Sequence, residues 1–139
     1  MKYLLDTNTC IRYLNGRSPQ VFKRLESLSE ADIAVCSVVK MELRYGALRS
    51  DYVEKTLEKQ ATFLNRFVSL PFDDAAHIHA ARIRAELASA GTPIGPYDLL
   101  IAAIALANNL ILVTHNTKEF SRVTGLQLED WEADERDDT

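Results

Sequence analysis

Short apolar runs alternate with helix-length segments along this chain, and that alternation limits the fold more than any other feature of the sequence. The runs are YLL (Tyr3–Leu5), IAVC (Ile33–Cys36) and LILVT (Leu110–Thr114). Each is apolar throughout rather than alternating with polar residues, which is how a strand covered on both faces reads. Each also stops at residues that open helices or turns: Asp6 and Thr7, Ser37, and His115–Asn116. A further short strand is expected near Leu126–Leu128. Helical spacing marks Pro19–Leu28, roughly Asp51–Phe67, and Asp73–Ala90 before Gly91, while Ser37 is the expected cap of the helix carrying MELRYGA. Pro96 suits the first turn of a helix running to Asn108, because a proline there gives up no needed N–H. Strands alternating with helices predict an α/β domain of three layers, α/β/α, around a central and mainly parallel sheet. Functional groups in such sheets gather beyond the carboxyl ends of the strands.

Composition fits one soluble domain: 139 residues, 47% hydrophobic and 26% charged. No apolar run reaches the roughly 18–20 residues of a membrane span, and MKYLL before Asp6 is too short for a signal-peptide core. The expected location is the cytoplasm, with no membrane partner. Cys10 and Cys36 match neither a zinc spacing nor a redox pair and read as small buried hydrophobes. The net charge of −4 conceals an uneven distribution, because the segment from Glu129 onward carries −6 and the preceding body +2. A slightly basic body is compatible with a polyanionic partner, though charge alone is weak support. The reading divides the chain into a folded domain, 1–131, and an acidic, disordered tail, 132–139, with Trp131 as a packing anchor.

The search for a site starts from Asp98. Between Thr92 and Ala107 it is the only residue charged at neutral pH, and at helical spacing it shares a face with Ile101, Ala102 and Ala105. A buried carboxylate is costly unless it is paired, hydrogen-bonded or bound to a metal; its ordinary alternative is a carboxylate favoured by a helix N-terminus. Asp6 follows the first strand and is equally readable as an N-cap. Glu42 lies on the face of its helix shared with Val38, Val39, Tyr45 and Gly46, yet a mid-helix glutamate is commonly solvated. Glu119, in HNTKEF, reads on its own as a surface turn. Together the four stand where strand ends and helix starts converge. Clustered like charges raise one another's pKa values, and a hard divalent cation with oxygen ligands, Mg²⁺ or Mn²⁺, relieves that conflict. His77 and His79, two residues apart, face different directions and read as structural or surface residues; His115 lies nearer the candidate site.

The segments LLDTNTCIRYL, SVVKMELRYGA, GTPIGPYDLLIAA and LVTHNTKEFSRVTGLQLEDW resemble, in order and spacing, the PIN-domain ribonucleases, and within them the VapC toxins of toxin–antitoxin pairs. GTPIGPYD is similar to the branch that cleaves tRNA in the anticodon region. The resemblance implies a PIN-like fold and an acidic catalytic set of Asp6, Glu42, Asp98 and Glu119, with Asp6 and Asp98 as the direct metal ligands. It gives Asn8 and Thr114 supporting roles. Asn116 stands where some PIN enzymes have aspartate; an amide adds no charge, which weakens the case for a second metal. Lys40, Arg44 and Lys118 are candidate phosphate contacts.

What the resemblance implies chemically is Mg²⁺-dependent hydrolysis of RNA, with Mn²⁺ as an alternative ion, leaving a 5′-phosphate and a 3′-hydroxyl and inhibiting translation. It also implies a VapB-type antitoxin partner, a homodimer and larger toxin–antitoxin complexes. The apolar faces of Pro19–Leu28 and Asp51–Phe67 are candidate contact surfaces, with core packing as the alternative. Other readings are weaker. A haloacid dehalogenase needs aspartate where Asn8 stands, and a receiver domain wants a lysine that Lys118 supplies only out of place. A catalytically silent PIN-like module that binds RNA or protein is the alternative from a different class.

Overall fold

The computed structural model describes residues 1–133; the expected acidic tail, apart from Glu132 and Ala133, lies outside them. The elements run β1 (Tyr3–Leu5), α1 (Thr7–Asn15), α2 (Pro19–Glu26), β2 (Ile33–Cys36), α3 (Ser37–Leu48), α4 (Val53–Leu64), β3 (Val68–Leu70), α5 (Asp74–Ser89), α6 (Pro96–Ala107), β4 (Ile111–Val113), α7 (Thr117–Phe120) and β5 (Leu128–Glu129). The strands form one sheet in the order β3-β2-β1-β4-β5, and every pairing is parallel. With helices on both faces this is the expected three-layer fold, its sheet wholly rather than mainly parallel.

Burial follows position in the sheet. The central strands β1 and β2 are buried at every residue. The edge strand β3 buries only Leu70, Val68 and Ser69 being exposed. That exposure explains why the apolar-run criterion missed β3, which follows directly on the stretch read as one helix to Phe67; α4 itself ends at Leu64. At the other edge β5 is just two residues long, shifted slightly beyond the expected position.

Ser37 is not a cap. Strand β2 runs into α3 without a turn, so the extended N-cap position falls on Cys36 and Ser37 is already the first helical residue. Asp6 does cap α1, its side chain accepting from the Thr9 N–H at 2.8 Å. Residues Ile101–Ala105 of α6 are all buried, the signature of a helix covered on every side. Its alanines let α5 pack closely against it.

The candidate contact faces are largely internal. Val21 and Leu25 of α2, and Phe63 and Leu64 of α4, are buried. Tyr13 stacks between Phe22 and Phe63, tying α1, α2 and α4 together. Trp131 packs edge-on against Tyr3 and is buried, closing the end of the fold. Beyond it Glu132 pairs with Arg12 at 3.4 Å. Both cysteines are buried and unbonded, and burial pushes the Cys36 thiol up to about 11, away from reactive thiolate. Among the described residues no helix is long and apolar enough to cross a membrane.

Candidate active site

The strand order reverses at β1. From there the chain builds outward to β2 and β3 on one side, then returns to add β4 and β5 on the other. Connections therefore leave the carboxyl ends of β1 and β4 in opposite directions and open a crevice between them, the usual place for a site in such a sheet. Asp6 and Thr114 stand at its two sides, one residue beyond the paired residues Leu5 and Val113. The Asp6 N–H donates to the Val113 carbonyl at 3.1 Å, so the backbone of Asp6 continues the sheet ladder.

Asp6 is 4% exposed and Thr114 fully buried. Burial raises the Asp6 carboxyl above its ordinary value, and the charge of Glu42 adds to the rise; hydrogen bonds from Thr114 and Thr9 work against it. Glu42, on α3, accepts the Thr7 hydroxyl at 2.6 Å, so the first residue of α1 fixes its direction.

Asp98 lies in the first turn of α6, half-buried. Its carboxyl is pushed up to about 7, by burial first, then by the hydrogen bond it shares with Glu119 and the negative charges of Glu119, Glu42 and Asp6. Glu119, on α7, moves the other way. Burial pushes it up, but hydrogen bonds from the Gly95 N–H, Asn116 and Asp98 outweigh that and leave it below its usual range. The Gly95 N–H reaches one Glu119 oxygen at 3.0 Å, and the Asn116 side-chain amide reaches the other at 3.0 Å. Asp98 and Glu119 thus titrate as a pair, with the proton favoured on Asp98.

The structure brings Asp6, Glu42, Asp98 and Glu119 into one electrostatic neighbourhood, with Thr114 and Asn116 as their hydrogen-bond supports. Asn8 is exposed, and none of these hydrogen bonds comes from it. Lys40 donates to Ser69 at 3.3 Å. With Arg44 it lines a cleft of about 390 Å³ between α3 and α4 that includes none of the four acids. Lys118 is exposed beside Glu119, and His115 binds the Asp130 carboxylate at 3.0 Å. Thr7 and Gly95 escaped the sequence reading. Thr7 acts on a partner 35 positions away and Gly95 on one 24 away.

The donors are all oxygens, which fits a hard divalent ion. Among the described residues, no three His, Cys, Asp or Glu side chains are already grouped to hold a metal. That narrows the expectation of four acids around one ion. The residues fit an ion held by two carboxylates and completed by water, the habit of Mg²⁺.

Comparison with known proteins agrees with this fold. The PIN domain family model matches residues 3–126. Relatives named tRNA(fMet)-specific endonuclease VapC are 44% identical in Shigella flexneri and 41% in Salmonella typhimurium, each over 94% of this chain and 98% of the relative. The fold superposes on the solved structure of DNA-bound VapBC from Salmonella typhimurium with a TM-score of 0.89 at 40% identity, covering 94% of this chain and 98% of that one. VapBC2 from Rickettsia felis, bound to a promoter DNA fragment, gives 0.88 at 38% identity, covering 94% and 99%. The chain belongs to the PIN-domain family, and within it to the VapC ribonuclease toxins of toxin–antitoxin systems.

Proposed function

We propose that this protein is a divalent-metal-dependent endoribonuclease that cuts a tRNA in its anticodon region, and that a VapB-type antitoxin restrains it. The observation that supports the reading is that Asp6, at the β1/β4 crevice, and Asp98, in the first turn of α6, each have a carboxyl raised by burial and by neighbouring acids. A buried Asp6 and a half-buried Asp98 that feels its charge are costly to ionise together, and a cation offsets that cost. The tRNA substrate draws support from the names of the Salmonella and Shigella relatives. The antitoxin draws support from the VapBC complexes that this fold superposes on.

Asp6 and Asp98 would hold the ion, Mg²⁺ or Mn²⁺. When bound it supplies an acidified water and neutralises charge building on the phosphate. The chain's own residues do the rest. Asp6 is fixed by the Thr9 N–H and its ladder bond. Glu42, aimed by Thr7, offers a carboxylate to orient the attacking water. Glu119, held at both oxygens, hydrogen-bonds Asp98 and keeps it in register. Lys118 is exposed beside the acids and is the phosphate contact this geometry favours. Unpaired anticodon-loop bases suit such an open crevice better than a closed duplex does.

The test is cleavage of purified tRNA with Mg²⁺, with Mn²⁺ and with EDTA, by the wild type and Asp98→Asn. Cleavage that needs the ion and falls by at least ~100-fold in the variant is expected. Cleavage persisting in EDTA or unchanged in Asp98→Asn refutes it; stable RNA binding without a cut favours the silent module.

A further inference from the structure

Of the chain's five glycines, Gly95 alone has its missing side chain facing the acids. A Cβ at Gly16, Gly46, Gly91 or Gly125 would meet nothing within 4 Å, and Gly16, Gly91 and Gly125 occupy left-handed backbone. Gly95 has no such backbone need, since its φ of −55° and ψ of 145° are open to any residue. A Cβ there would lie 3.3 Å from Oδ2 of Asp98 and 3.8 Å from its Cγ. That is tighter than ordinary contact, and the atom pressed upon is a carboxylate oxygen. The same Cβ would lie 3.9 Å from Oε1 of Glu119, an ordinary separation. The hydrogen bond from the Gly95 N–H to Glu119 would therefore survive.

We infer that Gly95 is a positioning residue: its bare Cα sets where the Asp98 carboxylate rests, while its N–H sets Glu119. One residue thereby aligns the start of α6 with α7, adding to the hydrogen bond that Asp98 and Glu119 share. The inference rests on the reading of the site as a metal-dependent nuclease, because the alignment matters for an ion held by Asp98. Displacing one ligand by a few tenths of an ångström changes metal affinity and turnover far more than it changes RNA docking.

The experiment compares the full chain, Gly95→Ala, Asp98→Ala and the double variant. Three readouts are used: Mn²⁺ binding by electron paramagnetic resonance, melting without metal, and tRNA cleavage. In Gly95→Ala, Mn²⁺ affinity is expected to fall roughly tenfold, with kcat falling alongside it and KM for RNA unchanged. Without metal, the alanine lowers Tm by about 3 °C where Asp98 is present. In the Asp98→Ala background the alanine costs nothing, because the crowded atom is gone. Wild-type Mn²⁺ affinity in Gly95→Ala overturns the inference. So does an equal Tm cost in both backgrounds, or failure to fold in both, since the Cβ would then act elsewhere. If the wild type itself does not cleave, the nuclease reading fails, while the metal-free melting comparison still decides the contact between Gly95 and Asp98.

Discussion

Charging Asp98 in the metal-free protein leaves a half-buried carboxylate beside Glu119, Glu42 and Asp6, and burial first, then those neighbours, raise its carboxyl from 3.8 to about 7. A carboxyl raised in the folded state leaves stability intact below its unfolded value and removes it as pH climbs through the folded value. The metal-free protein is therefore expected to lose Tm between about pH 4 and 7. Asp98→Asn should flatten that decline and melt higher at pH 8. Asp98 is half-exposed, so solvent screening leaves roughly 1 kcal/mol of the effect, or about 3 °C. Calorimetry in EDTA at pH 5 and pH 8 reads it; a variant that melts lower at pH 8 would make Asp98 a stabilising helix-terminus charge. Asp98 was legible in the sequence because a lone carboxylate on an apolar helix demands a partner. Glu42 and Glu119 were legible mainly through resemblance, since a mid-helix glutamate, even on a largely apolar face, and a glutamate in a polar turn are both commonly solvated. Thr7 and Gly95 were not legible. A hydroxyl beside a cap aspartate has many uses, and a glycine that serves by what it lacks leaves no mark in the sequence.

The helices that frame the site end in ways the sequence partly announces. Helix α5 closes with Gly91 in the left-handed region, where the Thr92 N–H returns to the Leu87 carbonyl at 2.9 Å. Helix α6 closes the same way on Asn109, with φ of 56°, and the Leu110 N–H bonds the Ala105 carbonyl at 2.9 Å. This turn delivers the chain directly into β4. Alanine tolerates that backbone poorly, so Asn109→Ala is expected to cost about 1 kcal/mol, or about 3 °C. Asn109→Gly should cost less than half as much, and cleavage per folded molecule should be unchanged in both. Melting curves check this; equal losses in the two variants would point to a role for the amide instead. Strand β3 was missed because an edge strand with one buried residue carries no continuous apolar run, whereas β1, β2 and β4 carry it in full.

At the scale of the molecule, the alternation of strands and helices was readable, and so was the parallel sheet. The strand order was not, because nothing local in the chain says on which side of β1 a returning strand will pair. That order makes the crevice, and it places Asp6 inside the ladder joining β1 to β4. The amide of Asp6 is therefore expected to exchange with solvent only when the whole domain unfolds. Hydrogen exchange followed by NMR should give it the same opening free energy as denaturant melting, and a markedly lower value would mean that the site opens on its own. Asp6, tied by its amide to the end of the sheet's central strand, is not released by loosening a loop. Under the proposed function, restraint comes from a partner that covers the crevice, and loss of that partner leaves a site already folded.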